Sequence, residues 1–147
     1  MTNMFMRLFF LTLFLIPALL ACHAQKGVQS SAEKPRQVKT PFISTLHFDK
    51  DKSVIKDANI IKTNALWLLA HPQQVVILEG HCDESGDDEY NLWLGDRRSR
   101  TVMEALMKYG VPEEQLIIMS YGKTRPLLAE QNKYGWAQNR RVEFVRR

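Results

Sequence analysis

Cysteine is nearly missing from this chain: among 147 residues there are two, Cys22 and Cys82. An exported protein could join them, but that leaves at most one bridge and no disulfide framework. Also missing is an apolar run of membrane-spanning length. The candidate LFFLTLFLIPALLA, Leu8 to Ala21, falls short of the about 20 residues a transmembrane helix needs. No two ligand clusters stand at zinc-like spacing. The acidic loop from Asp83 to Glu89 lacks the Gly at the sixth place and the Glu at the twelfth that a calcium-binding EF-hand requires. Nor is there an internal repeat. The net charge of +4 and pI near 9.2 would elsewhere raise nucleic-acid binding. Here the basic residues form no single block, and residues 1–21 have the proportions of an export signal, so envelope polymers and anionic membrane surfaces are the expected neighbours and nucleic acid is not.

What is present begins with a leader. Residues 1–21 carry one charged side chain, Arg7, ahead of the apolar run and small residues at its end, the proportions of a secretory signal. The ending Leu19-Leu20-Ala21-Cys22 resembles a bacterial lipoprotein signal, which implies cleavage before Cys22 and acylation of its thiol. Several acyl chains make a stable membrane anchor where one does not. Lipidation would leave Cys82 unpaired, and His23 after the cysteine favours the outer membrane, periplasmic face. Residues 22–44 then read as the lipidated cysteine and a polar tether with Pro35 and Pro41. As a coil it would span roughly 25 Å, and stretched about 75 Å. The globular domain is expected over 45–147.

Within that domain the periodicity predicts a short strand at Thr45–Phe48 and a helix from about Ala58 to His71, stopped by Pro72. A buried strand follows at Val75–Gly80. A second helix is predicted from about Asn91 or Leu92 to Tyr109, ended by Gly110 and Pro112. Strands at Gln115–Gly122 and Arg141–Val145 complete the set, with a loop over 124–138 containing a helical turn near Trp136. The order β-α-β-α-β-β implies an α+β fold, an α/β sandwich with helices on one face of a mixed sheet.

The stretch GHCDESGDDEYNLWLGDRRSR, residues 80–100, gathers acids and arginines densely. Most of such a cluster is solvated surface. Yet Arg98 falls on the apolar stripe of the second helix, between Leu94 and Val102, and an arginine aimed inward needs a partner. Asp83 sits just past a buried strand's C-terminal end, a usual place for sites in α/β sheets. From the residues alone, a structural Asp83–Arg98 ion pair and a binding site are both open.

The run LEGHCDESGDDEYNLWLGDRRSRTVMEALMKYGV, then IMSYGKTRP, then NRRVEF, resembles the OmpA-like peptidoglycan-binding domain over about residues 45–147. The resemblance implies that family's fold and a non-enzymatic role without cofactor or metal. The implied ligand is peptidoglycan, gripped at the diaminopimelate of its stem peptide. That group carries an ammonium and a carboxylate on one carbon. The family's acid in G-H-x-D corresponds to Asp83, and its arginine in N-x-x-L-x-x-x-R to Arg98, with Asn91 and Leu94 at the other motif positions. Each charged contact at about 1.5–3 kcal/mol implies that Asp83→Ala or Arg98→Ala costs over tenfold in wall binding. Asn91 either caps the second helix or touches ligand. Asp51 matches a family acid near the ligand, while Lys50 replaces the aromatic usual in relatives. Arg141, in the Asn139-Arg140-Arg141 signature, is a candidate carboxylate contact at the groove mouth. His81 and Cys82 read as structural. The lipoproteins of the family also imply a TolB-like periplasmic protein as partner, competing for the groove, and a role in envelope integrity and cell division. Two alternatives stay open: an OmpA-like lipoprotein of another envelope or secretion complex, and a cell-wall hydrolase, for which Cys82 lacks a convincing histidine–acid arrangement.

Overall fold

The structure, a computed structural model, describes residues 43–147. The expected leader, the lipidation at Cys22 and nearly all of the tether lie outside the described residues. Four strands and three helices alternate: β1 Leu46–His47, α1 Ala58–Ala70, β2 Val76–His81, α2 Asp88–Lys108, β3 Leu116–Gly122, α3 Lys133–Asn139 and β4 Arg141–Arg146. The sheet runs in the order β1-β4-β2-β3. β2 and β3 are parallel, and β4 runs antiparallel to both β1 and β2. The expected α+β fold with a mixed sheet is therefore present. The helical turn expected near Trp136 is a full short helix, α3, which ends at Asn139, one residue past the expected loop.

Local chemistry explains the boundaries. Asp57 caps α1, its carboxylate accepting from the Asn59 and Ile60 amides, and Pro72 follows the helix end. Past the end of α1 the backbone turns on itself, the His71 amide donating to the Leu68 carbonyl and the Gln74 amide to the His71 carbonyl, and the buried Gln115 side-chain amide adds bonds to the Leu68, His71 and Gln74 carbonyls. In α2 the cap is Asp87, accepting from the Tyr90 amide, with Asp88 and Glu89 in the first turn. Acids there favour the helix dipole, so α2 starts three residues before the expected Asn91.

The core joins α1, α2 and one sheet face: Ile61, Ala65 and Leu68 meet Val102 and Leu106 above Val76, Leu78, Val142 and Phe144. Each such side chain contributes about 1.5–3 kcal/mol on burial. Ala58 and Leu69 of α1 are exposed, while Asn64 and Trp67 are buried. Asn64 bonds the Ser44 amide and carbonyl, tying the domain's first described residues to α1. Where α2 crosses β2, a Cβ on Gly80 would collide with the Gly95 carbonyl. Only glycine allows strand and helix backbones to touch there. That contact holds α2 over the C-terminal end of β2, where Asp83 lies.

Candidate functional site

The loop after β2 forms one wall. Asp83 is 5% exposed; one carboxylate oxygen accepts from the Ser85 amide at 3.0 Å, the other from Arg140 Nη1 at 2.9 Å. Burial works to raise its pKa, but the Arg140 and Ser85 hydrogen bonds prevail and hold it below the usual carboxylate value. Asn91 fixes the loop, donating to the Ser85 and Asp87 carbonyls. It sits in the first turn of α2 and is not its cap.

Arg98 is fully buried and does not pair with Asp83. Its Nε donates to the Lys52 carbonyl at 2.9 Å, Nη1 to the His81 carbonyl at 2.8 Å and to Cys82 Sγ at 3.3 Å, and Nη2 to the Asp49 carbonyl at 3.0 Å. Its guanidinium also lies over the Phe48 ring. Four of five N–H donors thus hold the loop after β1 to the end of β2, and one Nη2 hydrogen is left over. The inward orientation expected from helical spacing is present; the partner expected for it is not.

The guanidinium facing Asp83 belongs to Arg140, which also donates from Nε to the Phe48 carbonyl at 3.1 Å. Arg141, the candidate from sequence, is turned away. Its guanidinium meets Glu143, the Asn139 carbonyl and the Arg125 carbonyl. Arg140 stands just before β4 at the end of α3 and Arg141 is the strand's first residue, so strand parity separates them. Asn139 is structural, its side chain bonding the Leu127 and Leu128 amides and the Leu128 carbonyl.

Asp83, Ser85 and Arg140 line an open hollow of about 420 Å³ together with Lys50, Lys133 and Trp136. Trp136 also borders a second hollow of about 250 Å³ with Glu84, Lys123 and Leu128, and its indole N–H donates to Glu84. Lys133 and Trp136 escaped the sequence reading; the aromatic ahead of the Asn139-Arg140-Arg141 signature was their one signal. Asp51 lies elsewhere, exposed at φ 56° with Tyr90 Oη donating to it at 3.4 Å. It borders a separate groove with Tyr90, Trp93 and Arg97. Cys82 is buried, its thiol donating to the Asn91 carbonyl and pushed up to about 11 by burial. A neutral packed thiol makes a poor nucleophile.

An α+β sandwich with a paired carboxylate and guanidinium on an open hollow is the build of a small binding domain. The OmpA family pattern matches residues 47–140, and the chain belongs to the OmpA family. It is similar to the peptidoglycan-associated lipoprotein of Pseudomonas aeruginosa, 44% identical over 104 residues, 69% of this chain and 61% of that protein. The peptidoglycan-associated lipoprotein of Legionella pneumophila is 45% identical over 85 residues, 58% of this chain and 48% of that one. The chain thus spans about half to three fifths of these relatives' length. Among solved structures, the peptidoglycan-associated lipoprotein from Burkholderia pseudomallei matches with TM-score 0.68 at 35% identity, covering 70% of this chain and 89% of that one. The periplasmic domain of Helicobacter pylori MotB shares the fold, with TM-score 0.61 at 24% identity over 69% of each chain.

Proposed function

We propose that this chain is an envelope lipoprotein whose domain, residues 45–147, binds peptidoglycan non-covalently and performs no chemistry on it. The observation that carries this reading is the Asp83–Arg140 pair on the wall of an open hollow. A zwitterion such as the end of diaminopimelate can enter an ion pair by exchanging partners. Its ammonium takes the carboxylate, and its carboxylate takes a guanidinium whose planar fork binds both oxygens. Lys50 and Lys133 on the same hollow suit further stem-peptide carboxylates. The names of the similar lipoproteins support the same ligand.

Asp83 is the ammonium acceptor in this reading. Arg98 reaches the ligand through its remaining Nη2 hydrogen, as the family pattern implies, or holds the walls while Arg140 takes the carboxylate. The exposure of Arg140 favours the second arrangement. Asn91 shapes the loop, Asp51 borders the neighbouring groove with Tyr90, and Arg141, turned to Glu143, makes no contact with the ligand in this reading. Lipid on Cys22 would fix the chain to the outer membrane and residues 22–44 would reach toward the wall. A single weak contact suffices when tethering raises the effective concentration. A TolB-like periplasmic partner, and through it the Tol-Pal role in envelope integrity and division, completes the reading.

The test is co-sedimentation of the full chain with purified diaminopimelate-type wall, using free meso-diaminopimelate as competitor and Asp83→Asn and Arg140→Lys as variants. Binding that the free amino acid abolishes and Asp83→Asn lacks supports the site. Sedimentation indifferent to both, or none by the folded wild type, refutes it. Release of soluble wall fragments would instead support a hydrolase.

A further inference from the structure

The sheet face away from α2 holds a second cluster unrelated to the hollow. Gly80 touches α2 and Leu78 joins the core, so side-chain alternation turns Glu79 to the opposite face, and His81, just past an irregularity in the strand register, lies beside it. In the antiparallel β2–β4 ladder, Glu79 stands directly opposite Glu143. Two carboxylates in that relation repel each other, and this pair lies between the sheet's two central strands. His81 is 2% exposed, and both of its ring nitrogens are without a hydrogen-bond partner. The Arg125 backbone lies beside the ring but outside hydrogen-bond geometry. A buried imidazole with neither nitrogen satisfied is costly. Its Nε2 is turned toward Glu79 Oε2, 3.8 Å away, too far for a hydrogen bond. One ligand atom each from Glu79, His81 and Glu143 lies within 4.8 Å of the others.

Separation of this size, opposed carboxylates and an unsatisfied imidazole are together what a metal ion between them would resolve. We propose that Glu79, His81 and Glu143 form a binding site for a first-row divalent cation of the zinc type, clamping β2 to β4. One nitrogen and two carboxylates suit zinc, with nitrogen and oxygen ligands at about 2.0–2.2 Å. The imidazole disfavours magnesium and calcium, which take oxygen ligands. Arg141 holds one oxygen of Glu143 and leaves the other. The guanidinium of Arg125 is drawn aside over Tyr121, 3.7 Å from the ring centre. Glu143 is 30% exposed along its side chain, which provides the way in.

The experiment is titration of the chelator-treated full chain with zinc chloride, followed by calorimetry, thermal melting and the imidazole ¹⁵N resonances. One zinc per chain is expected, with a shift of the His81 Nε2 resonance and a rise in melting temperature. Glu143→Gln, a partly exposed isosteric change, should weaken binding tenfold or more and remove the melting shift, a loss on the order of that seen when a metal's surroundings are altered. His81→Gln should do the same if it folds; if it does not, the His81 resonance and Glu143→Gln decide. No saturable binding up to millimolar zinc overturns the proposal. So does binding that Glu143→Gln leaves unchanged and that does not move the His81 resonance. Wall binding through Asp83 is read separately, so the two proposals fail independently.

Discussion

Arg98 and Arg140 flank the same acidic loop and could hardly be more differently employed. Arg98 lies inside, fully buried, its guanidinium on the carbonyls of Lys52, His81 and Asp49. Arg140 lies at the rim, 16% exposed along its side chain and on the carboxylate of Asp83. Burial outweighs the nearby carboxylates and lowers the pKa of Arg98 from its ordinary value, yet three backbone carbonyls still hold the charge in place. The contrast teaches that a buried cation stitched to carbonyls organises chain, whereas a cation on a carboxylate beside solvent can exchange partners.

Removing Arg98 should therefore break the fold before it breaks binding. Arg98→Met takes the guanidinium from the Lys52 and His81 carbonyls, while the Asp49 carbonyl keeps only the Lys52 amide, and the expected loss is about 3–5 kcal/mol in a urea melt. This differs from the more-than-tenfold binding loss on an intact fold that the family pattern alone implies. A fully stable Arg98→Met that fails to bind wall would restore direct contact.

A second break lies next to the carbonyl that Arg98 uses. Burial, then Arg141, holds His81 down to about 4 from 6.5. The unfolded chain takes up its proton below about 6.5 while the folded chain resists until about 4. Stability should then be full above the upper value and fall with pH through that window, by roughly 3 kcal/mol in metal-free buffer. Melting the domain across that range should show the slope, and His81→Gln should flatten it.

At the rim, Asp83→Asn keeps shape and removes charge. Wall binding should weaken by about 1.5–3 kcal/mol, with little change in melting temperature. Equal losses of stability and binding would mean that Asp83 is as structural as Arg98. Smallest of all, Asp96→Ala breaks only the exposed Asp96–Arg100 pair one helical turn apart, and stability should move by less than about 0.5 kcal/mol.

Much of this was legible in the residues. VVILEG and QLIIMSYG declare strands, and the stripe through Leu94, Arg98 and Val102 places Arg98 inward. What stayed hidden depended on tertiary contact. In α3, KYGWAQN carries a central glycine and no apolar stripe. The helix forms because Asn132 caps it and because Gly135 fits against the Glu130 carbonyl. The strand's start at Arg141 was legible, but which of Arg140 and Arg141 faces Asp83 depended on how the α3–β4 junction packs against the loop after β2. The meeting of Glu79 with Glu143 required the ladder register, which no local pattern contains.

Strand β1 adds a mechanical consequence. It is two residues long, sits at the sheet edge and pairs only with β4. Tension arriving at residue 43 would meet the Ser44–Asn64 hydrogen bonds first and that ladder next. The next bonds in line are the two between Phe48 and Arg140, amide to carbonyl and Nε to carbonyl. A pull at the domain's first described residues thus arrives at the guanidinium that grips Asp83, so in the proposed reading load and hold would be joined through one side chain.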